Sequence, residues 1–202
     1  ISSITADDVA VAKTMNHVIK LLAIAELTSD DRISVRVHPT LIPRSHPLAA
    51  VRDAFNAVFV EAKSAGQLMF YGRGAGGAPT ASAILGDLVA VARHKVGDSI
   101  GPRESDYADR AIAPISDTKT QFLIRLNVAD KPGVLAAIAQ TFATEGVSIQ
   151  TVRQSGRGND AELIVVSHGA TEAALSATVS ALSKMEIVSK VESVLRVLGS
   201  QG

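Results

Sequence analysis

The sequence has 202 residues, 47% of them apolar and 20% charged, enough for one larger or two small packed domains. Aromatic residues make up only 3% and tryptophan is absent, so the core must be aliphatic and stacking platforms for bases or sugars are not expected. Twenty basic residues balance twenty acidic ones, which gives no case for nucleic acid or anionic membranes, and the absence of cysteine excludes disulfides, thiolate metal sites and a cysteine nucleophile.

The chain opens on Ile1-Ser2-Ser3-Ile4 without Met, and it shows neither a signal-peptide pattern nor an apolar run of spanning length. A cytoplasmic protein is expected. Thr5 and Asp8 have the spacing of a capping box, and Val11, Met15, Val18, Leu22 and Ala25 then recur on one face, so a helix is predicted from Thr5 to about Ala25. Ile33, Val35 and Val37 alternate with Ser34 and Arg36 and predict a half-buried strand that the Pro39, Pro43 and Pro47 cluster ends. A short helix near Leu48 to Val51 follows. Strands are predicted over residues 57–61 and 67–71, separated by Ser64-Ala65-Gly66. Pro79 is placed near the first turn of a helix running to about His94. Residues 96–120, rich in Gly, Pro and small polar side chains, read as a linker.

From Gln121 the pattern is clearest. Phe122, Ile124, Leu126 and Val128 form the apolar face of a strand, and Pro132-Gly133 opens a helix carrying Val134, Leu135, Ile138 and Phe142. Gly146 stops that helix. Val147, Ile149 and Thr151 begin a second strand, residues 156–160 form a turn, and residues 163–166 a third strand. Thr171 caps a helix bearing Leu175, Val179 and Leu182, and a last strand holds Ile187, Val191, Leu195 and Val197. The order βαββαβ over residues 121–199 is the ferredoxin-like plan. The fold class expected for the whole is α+β, a partial mixed α/β segment over residues 1–95 followed by that domain.

Asn127-Val128-Ala129-Asp130-Lys131-Pro132-Gly133-Val134-Leu135 resembles the signature of ACT domains, regulatory modules that bind amino acids at paired interfaces. The chemistry of this string suits a zwitterion. Amides at the start of the Gly133 helix suit a carboxylate, and the Asp130 carboxylate suits an ammonium group. The resemblance adds Val134 to the effector site, together with Ser148 and Ile149, supplied at the turn into the second strand by a neighbouring domain. Ser148 stands where the related pattern often has Asn. The plainer alternative is that Asp130 caps the helix, or that the domain serves only for dimerisation.

Gly72-Arg73-Gly74-Ala75-Gly76-Gly77 matches G-x-G-x-x-G, but an acid at the end of a second strand about twenty residues on is missing, because that distance falls at Gly97-Asp98 in the linker. The nucleotide-binding fingerprint therefore fails, and what remains is a glycine loop before a helix, able to attract an anion. Read with Arg36 to Pro43, His46-Pro47-Leu48-Ala49, Phe55 to Val58 and Ala78-Pro79-Thr80-Ala81-Ser82-Ala83, the loop resembles homoserine dehydrogenase over essentially the whole chain. Family members often have Gly in place of Asp53.

The resemblance implies an oxidoreductase that interconverts homoserine and aspartate semialdehyde with NAD(P), with Gly72, Gly74, Gly76 and Thr80 beside the cofactor. It implies a dimer or tetramer formed through ACT and sheet contacts, and feedback by an amino acid, threonine. The family's Rossmann domain and catalytic lysines precede the point matching Ile1, so this chain alone is expected to hold no catalytic residue, to bind no cofactor tightly and to be inactive. No metal site is expected. Lys20, His38, His46 and Asp87 are read as structural. The alternative function is a non-catalytic amino-acid-binding and dimerisation module.

Overall fold

The computed structural model describes residues 4–99, 108–156 and 161–199. Its helices are α1 (Ala6–Thr14), α2 (Gly77–Val96), α3 (Val134–Thr144) and α4 (Glu172–Leu182). Its strands are β1 (His17–Leu27), β2 (Ile33–Pro43), β3 (Phe55–Ala62), β4 (Gly66–Arg73), β5 (Lys119–Val128), β6 (Ile149–Ser155), β7 (Ala161–Ser167), the short β8 (Ala170–Thr171) and β9 (Val188–Val197). All but Gly156 of the turn expected at residues 156–160, and the middle of the expected linker, lie outside the described residues. The chain divides into two compact units, Ile1–Pro43 with Arg110–Gly202, and Arg44–Asp109.

The first unit is built on one sheet in the order β1-β2-β9-β5-β7-β6, with β8 paired to the start of β5. Its last four members, β9-β5-β7-β6, are antiparallel, and with α3 and α4 they are the βαββαβ domain expected from the sequence. Period-two alternation sends Phe122, Ile124, Leu126 and Val128 to one face of β5, where they pack with Val134, Ile138, Phe142, Leu175 and Leu182 of the two helices. Leu135, expected on the same helical stripe, is exposed instead. Gly133 takes φ +90° and Gly146 φ +70°, so left-handed residues bound α3 at both ends.

The opposite face of that sheet is covered by α1, whose Ala12 packs with Leu123, Ile164, Val166 and Leu195. The long helix predicted from Thr5 to Ala25 is not present. It ends at Thr14, Asn16 turns the chain at φ +58°, and residues 17–27 pair antiparallel with β2 from His17↔Pro43 to Leu27↔Ile33. An apolar run such as Val18-Ile19-Lys20-Leu21-Leu22 suits either state, and the partner strand decides it. Lys20 therefore stands on β1 opposite Thr40. The proline cluster does not end β2 at Pro39 either. Pairing to β9 is confined to Thr40 and Leu41, so the stretch through Pro39 is an edge on that side, where a missing N–H is tolerated. Part of the expected linker is likewise structured, with the Ile33 amide donating to Ala111 and the Ala113 amide donating back to Ile33.

The burial of β2 reverses the expected pattern. Val35 and Val37 are 51% and 67% exposed, whereas Ser34, His38 and Thr40 are buried and the Arg36 side chain is 9% exposed. A polar stripe thus faces inward and an apolar one outward, a departure from patterning of the kind that marks functional surfaces.

In the second unit a short 3-10 turn over Pro47–Ala50 leads into the β3–β4 hairpin, paired from Phe55↔Arg73 to Ala62↔Gly66, and then into α2. Phe55 stacks on Tyr71 with centroids 4.8 Å apart, and the Arg73 guanidinium lies 5.0 Å over the Phe55 ring. No residue of α2 is buried, although Ile84, Leu85, Leu88, Val89 and Val91 are all apolar. Asp53, which precedes the hairpin, has φ +54°, in the region glycine adopts without strain. Asp53→Gly is therefore expected to be neutral or stabilising by up to about 1 kcal/mol, despite glycine's greater freedom when unfolded. Urea unfolding checks this, and a loss of more than about 1 kcal/mol would contradict it.

Candidate functional site

Three features of the structure bear on function. The first is a hollow of about 100 Å³ where β5 meets α3, lined by Val128, Ala129, Asp130, Lys131, Gly133, Val134, Leu135, Gln154 and Leu163. Of the five effector residues expected from sequence, it brings together Asp130, Gly133 and Val134. The left-handed Gly133 is the cap residue of α3, with no side-chain cap, and the Val134 amide donates to the Lys131 carbonyl. Gln154 comes from β6 and donates to Asp130 Oδ1 at 3.4 Å. Ser148 and Ile149 stand at the other end of β6 and do not line the hollow. The Ser148 carbonyl accepts from the His168 amide, and Ile149 packs against the α3–α4 core. The volume is well below the roughly 300 Å³ at which ligand pockets begin, so this hollow alone offers only part of a ligand site.

The second feature is the glycine loop. Gly72 and Arg73 close β4, Gly74 to Gly76 form the turn, and Gly77 begins α2, with Pro79 and Thr80 in its first turn. A Cβ at Gly74 would lie 1.7 Å from Asn56 Nδ2 and 2.5 Å from its Cγ, so any larger residue must displace the Asn56 side chain. The Gly74 amide donates to Ala54, the Thr80 amide donates to Gly76, and Gly76 takes φ +129°. Gly72, Gly74, Gly76 and Thr80 are all exposed. The loop thus keeps the open, side-chain-free character that the sequence implied.

The third feature was not foreseen. Asp8, 1% exposed, receives Arg125 Nη1 at 2.6 Å, the Ser193 hydroxyl at 2.5 Å and the Thr5 amide at 2.8 Å. Arg125, 6% exposed, also donates Nε to Glu162 at 2.8 Å. This cluster ties α1 to β5, β7 and β9 on the face opposite α3 and α4. Burial acts to raise the Asp8 carboxyl, but the bonds from Ser193, Thr5 and Arg125 together hold it below its ordinary value. Arg125 is correspondingly held above its own, burial being outweighed by Asp8 and Glu162.

The two histidines noted in the proline-rich segment have separate surroundings. His46 Nδ1 accepts the Leu48 amide as the cap of the 3-10 turn, and its ring meets Phe59 edge-on at 4.8 Å. His38, 7% exposed, lies on β2 with Nδ1 2.9 Å from the Thr40 hydroxyl. Burial pushes both imidazoles below their ordinary value. At His38 the Arg196 and Arg36 charges add to it, against the Pro39 carbonyl and Glu172, and at His46 only Glu61 opposes it. The unfolded chain therefore takes up these protons at higher pH than the folded one, so stability falls as pH drops below the ordinary histidine value. The Asp8 contribution is complete above the ordinary carboxylate value and is lost as pH falls through the lower folded one. Tm measured from about pH 8 downward should hence fall in two steps, beginning near pH ~6.5 and again below pH ~4. His38→Gln should weaken the first step, and a profile identical to that of the parent chain would contradict the assignment. Among the described residues no cluster of His, Asp or Glu could hold a metal, and no helix is long and apolar enough to cross a membrane.

Known proteins match this chain throughout. Residues 1–89 match the homoserine dehydrogenase family and residues 122–186 the ACT domain. The chain is 52% identical to the homoserine dehydrogenase of Mycobacterium tuberculosis over 210 residues, covering 99% of this chain and 48% of that protein. It is 51% identical to that of Corynebacterium glutamicum over 200 residues, covering 97% and 45%. The crystal structure of a homoserine dehydrogenase from Thiobacillus denitrificans superposes with a TM-score of 0.90 at 33% identity, over 98% of this chain and 46% of that one. The chain spans about half the length of the curated relatives it matches. The chain is thus similar to the C-terminal region of homoserine dehydrogenases, with an ACT domain following the homoserine dehydrogenase segment.

Proposed function

We propose that this chain is the regulatory and assembly half of an enzyme that interconverts homoserine and aspartate semialdehyde with NAD(P). In this reading residues 1–95 are the end of the catalytic and dimerisation domain, 96–120 the link and 121–199 the ACT domain. The Gly74 turn supports the first assignment, because its packing on Asn56 leaves bare backbone at the mouth of a strand-to-helix loop. Gly72, Gly74, Gly76 and Thr80 would border the dinucleotide, which supplies or accepts the hydride when bound. The fit is chemical: with the Gly74 and Thr80 amides bonded to Ala54 and Gly76, the exposed backbone at the Gly76–Gly77 start of α2 is what suits an anionic or carboxamide group. The chain alone would not catalyse, and it would act within a cytoplasmic enzyme.

The ACT hollow would hold an amino acid, with threonine as the effector. Amides opening α3 would take its carboxylate, and Asp130 with Gln154 its ammonium group. Because the hollow is small, a second ACT domain would complete it and contribute Ser148 and Ile149. The outward apolar face of the β1–β2 hairpin, formed by Leu21, Ala23, Ala25, Leu27, Val35 and Val37, supports assembly as a dimer or tetramer. The Asp8–Arg125 pair links the ACT sheet to α1, which lies in the segment matching homoserine dehydrogenase. Effector binding on one face of β5 and β7 could thereby bias the other half of the enzyme.

Steady-state assays of the complete enzyme test this reading. Homoserine-dependent reduction of NAD(P) should be inhibited by threonine, and Gly74→Ala should lower kcat/KM by about tenfold or more through the displaced Asn56. Unchanged kinetics in Gly74→Ala would remove the loop from the active site. A complete enzyme without dehydrogenase activity would favour a non-catalytic amino-acid-binding module.

A further inference from the structure

The larger hollow of the first unit is not the ACT hollow. It lies at the junction of the β1–β2 hairpin with the start of β5 and the end of β9, with a volume of about 310 Å³. That is the size at which small-molecule sites begin. Its lining includes Arg36, His38 and Thr40 from the inward polar stripe of β2, Glu26 from β1, and Lys119 and Gln121 from β5.

Two polar atoms beside this hollow stand out. Arg36 Nε and His38 Nε2 are buried and have no hydrogen-bond partner in the structure. Burying a donor without a partner is costly, and a charged guanidinium more so, which makes orphaned atoms at a cavity wall a sign of a ligand. The remaining bonds of both side chains fix their orientation. Arg36 Nη1 donates to Glu26 at 2.7 Å and to Ser34 at 3.0 Å, so the guanidinium is anchored at one end. His38 Nδ1 is 2.9 Å from the Thr40 hydroxyl, which itself donates to the His38 carbonyl at 3.2 Å, and 3.3 Å from the Pro39 carbonyl, so Nδ1 carries a hydrogen and Nε2 donates in the imidazolium, the form that a bound carboxylate favours. An arginine, an imidazole N–H and a lysine around one cavity match an oxyanion, and the planar guanidinium matches a carboxylate in particular.

We propose that this hollow is a second ligand site, separate from the ACT hollow, which takes a small organic carboxylate through Arg36 and His38. Lys119 adds positive charge at the rim, and Glu26 offers an acceptor to a ligand that also carries an ammonium group. The inference does not depend on the function proposed for the ACT hollow.

Nitrogen NMR of the 202-residue chain tests it, with sodium acetate as the probe and inorganic phosphate and threonine as further arms. The His38 Nε2 and Arg36 Nε signals should move saturably with acetate while those of His46 and His168 stay. Arg36→Gln should weaken acetate binding by roughly tenfold or more, the usual consequence of losing a charge-assisted bond. Threonine should move the same signals in an Asp130→Ala background, where the ACT hollow is disabled. Movement with phosphate but not acetate would overturn the carboxylate assignment. No saturable movement with any of the three would overturn the site, and because that readout uses the unmutated chain it stands even if Arg36→Gln fails to fold.

Discussion

Asp8→Ala is expected to destabilise the chain by about 3 kcal/mol and to lower Tm by roughly 10 °C. The reason is asymmetric. With Asp8 gone, Arg125 stays buried with Glu162 and, at 4.0 Å, the exposed Asp7 as its remaining carboxylates, the Ser193 hydroxyl loses its acceptor, and α1 loses its capping box. Replacing both partners by apolar residues, Asp8→Leu with Arg125→Met, should recover a large part of the loss, because no charge is then buried unpaired. A double-mutant cycle followed by urea unfolding should give a coupling of about 2 kcal/mol between the two positions. Strictly additive single losses would mean that α1 is held by Ala12 and its apolar neighbours alone.

The second large effect concerns the ACT hollow. Asp130→Ala should weaken amino-acid binding by roughly 10- to 100-fold, the worth of one hydrogen bond to a charged group. Gln154→Ala should weaken it less, since its 3.4 Å contact with Asp130 orients the carboxylate rather than neutralising a ligand charge. Neither change touches the core behind α3, so Tm should move by only about 1–3 °C. Calorimetry on the chain resolves the pair. Equal affinity in Asp130→Ala and the parent chain would leave Asp130 as a loop residue and nothing more.

The ACT fold was legible because each of its signals is local. Phe122, Ile124, Leu126 and Val128 recur with period two, Gly133 and Gly146 bracket α3, and Thr171 caps α4 with its hydroxyl accepting the Ala174 amide. Long-range pairing was not legible. The Thr5–Asp8 capping box could be read, but its second role could not, since Arg125 is 117 residues away. Residues 17–27 were read as helix because apolar spacing in an aliphatic run fits both periods, and only the β2 partner resolves the ambiguity. The inward stripe of Ser34, Arg36, His38 and Thr40 contradicts the rule that polar residues face out, so patterning pointed the wrong way where the larger hollow stands.

At the site level, Asp130, Gly133 and Val134 came from a motif and do converge on one hollow, whereas Gln154 and Leu163 carry no motif and come into place through β6 and β7. The glycine loop was legible as a strand-to-helix turn. Why a side chain at Gly74 is disfavoured was not, because the reason is the Asn56 side chain across the hairpin.

In the proposed function an amino acid binds the ACT hollow, and the hollow is coupled to the segment shared with homoserine dehydrogenase. Threonine titrated into the complete enzyme, with activity and binding read together, tests it most directly. Threonine is expected to bind the ACT hollow and inhibit, Asp130→Ala to lose inhibition together with that binding and keep only what the Arg36 hollow takes, and Asp8→Ala, held below its lowered Tm, to bind threonine still but be inhibited less. Inhibition that survives unchanged in Asp130→Ala would contradict it.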